Sequence, residues 1–146
     1  MERLNIKSFV IVAALAALLF SISSNAEAAW KYIGTQNGAK LYVLLPIDYE
    51  NQYAYTMIWT KLPGPLDVRG WRYDARSIES DVRIDCNVGS VKFRTIVAFS
   101  NSNLSGHRVS LAYIIQQSGV TIRPGSTISY NKLSSLAQRA VNYICK

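Results

Sequence analysis

The sequence has one histidine and two cysteines in 146 residues, and these scarcities exclude whole classes of chemistry. His107 has no cysteine or second histidine at ligand spacing, so the pattern of a nitrogen and sulfur metal centre is missing. No Gly-x-Ser-x-Gly elbow accompanies it, which leaves His107 a structural residue at a strand start rather than the base for a serine nucleophile. The eight glycines are scattered through turns, without the Walker or Rossmann spacing that cradles phosphates. Asp81 and Asp85 would lie about 13 Å apart on a strand, too far for glycoside hydrolysis, whereas Glu79 and Asp81, about 7 Å apart, fall in range. Arg83 stands beside Asp81, however, and no apolar pocket is legible that would keep one acid protonated. The expectation is a non-enzymatic protein with no catalytic residue, metal or cofactor.

A long apolar run is also lacking. Phe9 to Phe20 is apolar throughout, but it is short of the ~20 residues that a spanning helix needs. With Arg3 and Lys7 before it and Ala26-Glu27-Ala28 after it, the segment reads as an export signal, residues 1–28, cleaved before Ala29. No cysteine lies near that point to carry a lipid anchor. What remains, residues 29–146, suits one domain with one core, periplasmic or secreted, with no membrane span.

The stretch that organises this domain is Ser77 to Cys86. Ile78, Ser80, Val82, Ile84 and Cys86 share one side and Glu79, Asp81, Arg83 and Asp85 the other, which is the alternation of a half-buried strand. Downstream, Leu133, Leu136, Ala137, Ala140, Val141 and Ile144 recur at helical spacing, with Cys145 at the border of the stripe. A helix there would cover the strand's apolar side. Two cysteines in an exported chain pair as one disulfide, Cys86 to Cys145.

Around these elements the chain reads as strands. Trp30 to Ile33 and Lys40 to Leu45 flank Asn37-Gly38, the dipeptide of a tight hairpin. Pro46 to Gln52 reads as a turn. Tyr53, Tyr55, Met57 and Trp59 then alternate with smaller residues as a third strand, its aromatic face suited to core packing or cross-strand ladders. Leu62-Pro63-Gly64-Pro65-Leu66 is expected to end it, and a loop of about a dozen residues to follow. Asn87 to Ser90 turns into a strand from Val91 to Phe99, and a polar loop holding the weak sequon Asn103-Leu104-Ser105 leads to a strand over Val109 to Gln116. Ser118-Gly119, a short Val120-Thr121-Ile122 strand and a Pro124-Gly125-Ser126 turn precede the helix, with Ser126 or Ser129 as its cap. The fold class is α+β, a meandering antiparallel sheet of about six strands with one C-terminal helix packed on it.

Charge supplies the remaining signal. The formal net charge is +7, and removing the leader takes Arg3 and Lys7 together with Glu2 and Glu27, leaving it unchanged. Such a surplus attracts polyanions, although nucleic acid is not expected outside the cell. Arg69, Arg72 and Arg76 cluster beside Trp71 and Tyr73 in the expected loop, so Arg69, Trp71, Arg72 and Arg76 are the candidate binding residues.

Val82-Arg83-Ile84-Asp85-Cys86, Lys92-Phe93-Arg94 and Ile122-Arg123-Pro124-Gly125-Ser126, followed by a helix ending in Ile144-Cys145, resemble the surface-adhesin protein E-like family of Gram-negative bacteria, from about Trp30 to Cys145. The resemblance implies an antiparallel sheet with a disulfide-tied C-terminal helix and, as for the family's namesake, binding of host proteins such as vitronectin, laminin and plasminogen. The functional expectation is an adhesin-like exported binding protein whose partner is a host extracellular-matrix or serum protein or a polyanionic glycan. The competing expectation is a periplasmic envelope-maintenance or inhibitor protein that binds a bacterial or attacking protein.

Overall fold

The computed structural model describes residues 28–115 and 119–146. The expected leader and the end of the expected Val109 to Gln116 strand, with Ser118 after it, lie outside the described residues. Among the described residues an eight-stranded antiparallel sheet carries one α-helix on one face, with a separate two-stranded ribbon beside it.

Chain order is nearly sheet order. β1 (Ala29–Gln36), β2 (Ala39–Leu45), β4 (Tyr53–Asp67), β5 (Asp74–Asp85) and β6 (Ser90–Phe99) are successive neighbours. Three short strands hang on them: β3 (Asp48–Glu50) on β4, β7 (Arg108–Ser110) on β6, and β10 (Thr127–Ile128) on the far side of β6. The ribbon is β8 (Ile114–Ile115) with β9 (Thr121–Ile122). Asn37 and Gly38 both have positive φ, 51° and 82°, as the two-residue turn between β1 and β2 requires.

The sheet therefore has eight strands rather than about six, and the additions are two or three residues long, too short for alternation to register. β3 lies within the segment expected to be a turn. The strand expected over Val109 to Gln116 keeps its pairing with β6 only at β7; Leu111 then turns inward, 8 % exposed, and Ile114 and Ile115 join the ribbon.

The Pro63-Gly64-Pro65 stretch does not end β4. Lys61 pairs with Ser77 and Leu66 with Ala75, so residues 62–65 bulge opposite Arg76 alone. Both prolines fall where the ladder asks for no donor, which is how a strand tolerates them. The expected long loop contracts to Val68–Tyr73, the tip of a two-stranded arm that β2 and β6 do not accompany.

The helix, α1 (Ser135–Ile144), buries Leu136, Ala140, Val141 and Ile144 against the sheet, packing on β1 and β2. Its cap is Ser134 rather than Ser126 or Ser129: the Ser134 hydroxyl accepts from the Ala137 amide at 3.2 Å. Ser126 instead closes the preceding turn, accepting from the Arg123 amide and donating to the Arg123 carbonyl. Ser129 precedes a 3₁₀ turn over Tyr130–Lys132 and its side chain caps nothing. Three further contacts dock the helix: Gln36 Oε1 accepts from the Leu136 amide, Arg139 donates to the Ile33 carbonyl, and the Tyr49 hydroxyl donates to the Ile144 carbonyl. The Arg139 and Leu136 side chains fold down over Gly34, where a Cβ would sit 2.8 Å from Arg139 Nη1 and 3.0 Å from Leu136 Cδ1 and would shift both tips. The Cys86–Cys145 disulfide joins the end of β5 to the end of α1, with the two Cα atoms 5.3 Å apart. Val43, Val82 and Ile84 of the sheet and Ile144 of the helix are all fully buried.

Candidate functional site

The expected site residues converge on the arm. Arg69 and Arg72 are exposed in its turn and Arg76 is exposed at its root, opposite the proline bulge. None of the three forms an ion pair among the described residues. Asp67 and Asp74 face each other across the arm, a like-charge pairing that costs stability. Arg72 lies 5.1 Å from the centre of the Tyr73 ring, and Tyr73 stacks on His107 with ring centroids 3.8 Å apart. His107 thus braces the arm from the neighbouring loop. Trp71 is half-buried and packs with Val68 against the core, so the arm lies along the domain, with the arginines outward and the indole inward.

A second surface was legible as the aromatic face of the third strand, and Trp59 of that face stands in a cross-strand ladder. Among the described residues no element covers the face of β1, β2 and β4 away from α1, and this face carries the ladder. Tyr42 stacks on Trp59 at 4.3 Å, Trp30 meets Trp59 edge-on at 5.7 Å, and Tyr32 leans on Tyr42 at 5.5 Å. The register that pairs Tyr32 with Tyr42 and Tyr42 with Trp59 puts these rings in one row. The Trp59 indole N–H is buried there without a hydrogen-bond partner among the described residues.

Beside the ladder the alternating charges of β5 find partners. Arg83 lies 4.7 Å from the centre of the Tyr53 ring, while Arg94 lies 6.0 Å from that of Tyr55 and 3.7 Å from the Asp81 carboxylate. Glu79 stands in register between Trp59 and Val97, an apolar setting that the sequence of β5 alone does not reveal. Burial raises its pKa above the ordinary glutamate value; Arg108 opposes the rise and Asp81 adds to it. The partner carboxylate, Asp81, is engaged by Arg94.

A third feature lies on the helix side. α1 does not cover the whole face, and between its first turn and the β7–β9 segment runs a cleft of about 780 Å³. Leu41, Ile58, Ile78 and Phe93 of the sheet line it, with Leu136 of α1 and Ile122 of β9. Neither sequence periodicity nor any motif indicates it, because its lining is drawn from eight strands and a helix.

Charge was legible but averaged away. Every acidic residue lies at or before Asp85, while seven basic residues follow it, so the whole surplus of +7 resides in residues 86–146. Among the described residues no group of three or more His, Cys, Asp or Glu side chains could hold a metal ion, and no helix is long and apolar enough to cross a membrane.

This arrangement defines a class: a small antiparallel meander with a C-terminal helix bound to its central strand by one disulfide. Solved structures of Haemophilus influenzae protein E are similar to it in fold. One is 16 % identical with a TM-score of 0.55, covering 77 % of this chain and 91 % of that one. A second is 15 % identical with a TM-score of 0.53 and covers 84 % and 94 %. Protein E from the non-typeable form is 16 % identical at a TM-score of 0.55, covering 82 % and 84 %. At such identity the likeness is one of fold. No family model matches the chain, and no curated protein matches its sequence.

Proposed function

We propose that the chain is a member of the surface-adhesin protein E-like family and acts as an exported, non-enzymatic, adhesin-like binding protein. Its partner is a host extracellular-matrix or serum protein, or a polyanionic glycan, and the arm is its contact surface. The observation that carries this reading is the arm itself, where Arg69, Arg72 and Arg76 are exposed and free of ion pairs among the described residues. The fold in common with protein E supports it, as does the net positive charge, which accelerates encounter with an anionic partner and makes it salt-dependent.

The test is binding of the oxidised protein to immobilised vitronectin, laminin and heparin across a salt series, beside a variant carrying Arg69→Ala, Arg72→Ala and Arg76→Ala. Binding that weakens with salt and falls about tenfold or more in the variant is expected. Equal binding by the two proteins would remove the arm from the reading. The uncovered aromatic face favours a second reading, a periplasmic protein partner seated on Trp30, Tyr42 and Trp59. A single stoichiometric partner, retained in the presence of heparin and lost with Tyr42→Ala, would favour it.

A further inference from the structure

We propose that the cleft beside α1 is a binding site for a long-chain fatty acid, with the acyl chain along the apolar floor and the carboxylate at a rim formed by Arg69 and Arg123. This inference goes beyond the arm's proposed role in adhesion, with which it shares Arg69, and the methyl-ester comparison and the Ile115→Glu variant below test it separately. The cleft's volume of about 780 Å³ is that of a small-molecule site.

Its apolar surface is unusual in being uncovered. Of the six large hydrophobic side chains that are exposed among the described residues, three, Leu66 at 45 %, Tyr113 at 49 % and Ile115 at 64 %, line this one cleft. Scattered singly they would need no explanation, whereas gathered around a concavity they mark a place where apolar matter docks.

The polar lining selects against a peptide. A peptide brings an amide and a carbonyl per residue that need partners once desolvated. Two of the polar side chains here are already committed to the helix, Gln36 to the Leu136 amide and Ser134 to the Ala137 amide. A hydrocarbon chain makes no such demand.

The charges select the head group. The lining holds one acid, Asp67, and one base, Arg69, and Arg69 forms no ion pair among the described residues. The Arg123 guanidinium lies 5.5 Å from the centre of the Tyr113 ring, another lining residue. The wall from Val109 to Ala137 belongs to the half of the chain that contains no acidic residue. Counting Arg123, the rim sets two arginines against Asp67, so a cationic amphiphile is disfavoured and a neutral one leaves its arginines unused, while a carboxylate takes a charge-assisted hydrogen bond from either.

The experiment titrates cis-parinaric acid, a fluorescent long-chain fatty acid, into oxidised protein produced from the full 146-residue sequence. Saturable one-to-one binding that palmitate displaces is expected. Ile115→Glu should weaken it by about tenfold or more by placing a charge in the apolar cleft, and Arg69→Glu with Arg123→Glu should weaken the acid but not its methyl ester. Val88→Glu is the control, an apolar residue 67 % exposed and outside the cleft, and it should leave binding unchanged. The proposal is overturned by unsaturable uptake, by equal loss in Val88→Glu and Ile115→Glu, or by equal loss of acid and ester in the arginine variant. Sedimentation showing a dimer that Ile115→Glu dissociates would overturn it as well, because a second copy would then fill the cleft.

Discussion

On β5, Ile78, Ser80, Val82 and Ile84 face α1 and are buried, while Glu79, Asp81, Arg83 and Asp85, each one residue away, face outward among rings and counter-charges. The covered face is held by area removed from water, by close packing and by one covalent tie. Every methylene there has neighbours that cannot follow if it is deleted. The uncovered face is held by pairs, ring on ring and guanidinium on ring, each worth about 0.5–1.5 kcal/mol and coupled only to the next ring in the row. One face can change only at a cost to the fold. The other can exchange a residue, and with it a partner, while the fold stands.

The largest test of this contrast removes the tie. Replacing Cys86 and Cys145 together by Ser reopens a loop spanning 59 residues and should cost about 4 kcal/mol in urea unfolding. If the faces are independent, the near-ultraviolet signal of the Trp30–Tyr42–Trp59 cluster survives in the folded variant. Next, Ile84→Ala, fully buried between α1 and the sheet, should cost about 3 kcal/mol, read as a lower urea midpoint. Tyr42→Ala, which loses one stacked and one tilted ring contact on the open face, should cost about 1 kcal/mol beyond the area it exposes. A larger loss from Tyr42→Ala than from Ile84→Ala would break the comparison.

The smallest effect concerns Glu79. Its folded pKa is raised above 4.5, so its contribution to stability is fully present below that value and lost as pH rises through the higher folded value. Glu79→Gln should therefore be neutral in acid and stabilising at pH 7, by about 0.5 kcal/mol or less for so accessible a group. Thermal unfolding across a pH series reads the crossover. The same variant decides whether this carboxyl has a chemical role, since unchanged turnover of any substrate found would remove it from consideration.

What the sequence disclosed and what it hid follow the range of the interactions. Alternation along Ser77 to Cys86 and the stripe from Leu133 to Ile144 are local patterns imposed by a single buried side, so strand, helix and disulfide were all legible. Asp48–Glu50 and Thr127–Ile128 are too short to alternate, and only the strands beside them make them strands. Pro63 and Pro65 looked like a stop because each lacks a donor. What decides the matter is whether the partner strand asks for one there, and Arg76 alone faces the bulge. The arginines of the candidate site were visible as a cluster, but that Trp71 turns inward while they turn outward depends on where the arm lies. The cleft was invisible because it is a gap between two covers of one face.

The disulfide also sets an order of events. A chain delivered from its N-terminus presents Cys86 with β1 to β5 already behind it, and Cys145 only after β6, the ribbon and α1 have followed. Under the proposed export, Cys86 is through that interval a lone thiol in an oxidising compartment, open to mixed-disulfide formation with a foreign thiol. Once α1 docks, the two sulfurs meet and the reactive group disappears. Oxidation therefore works as a certificate of completeness: a molecule without a free thiol is one whose last element has arrived, and an arrested or misfolded molecule still displays one.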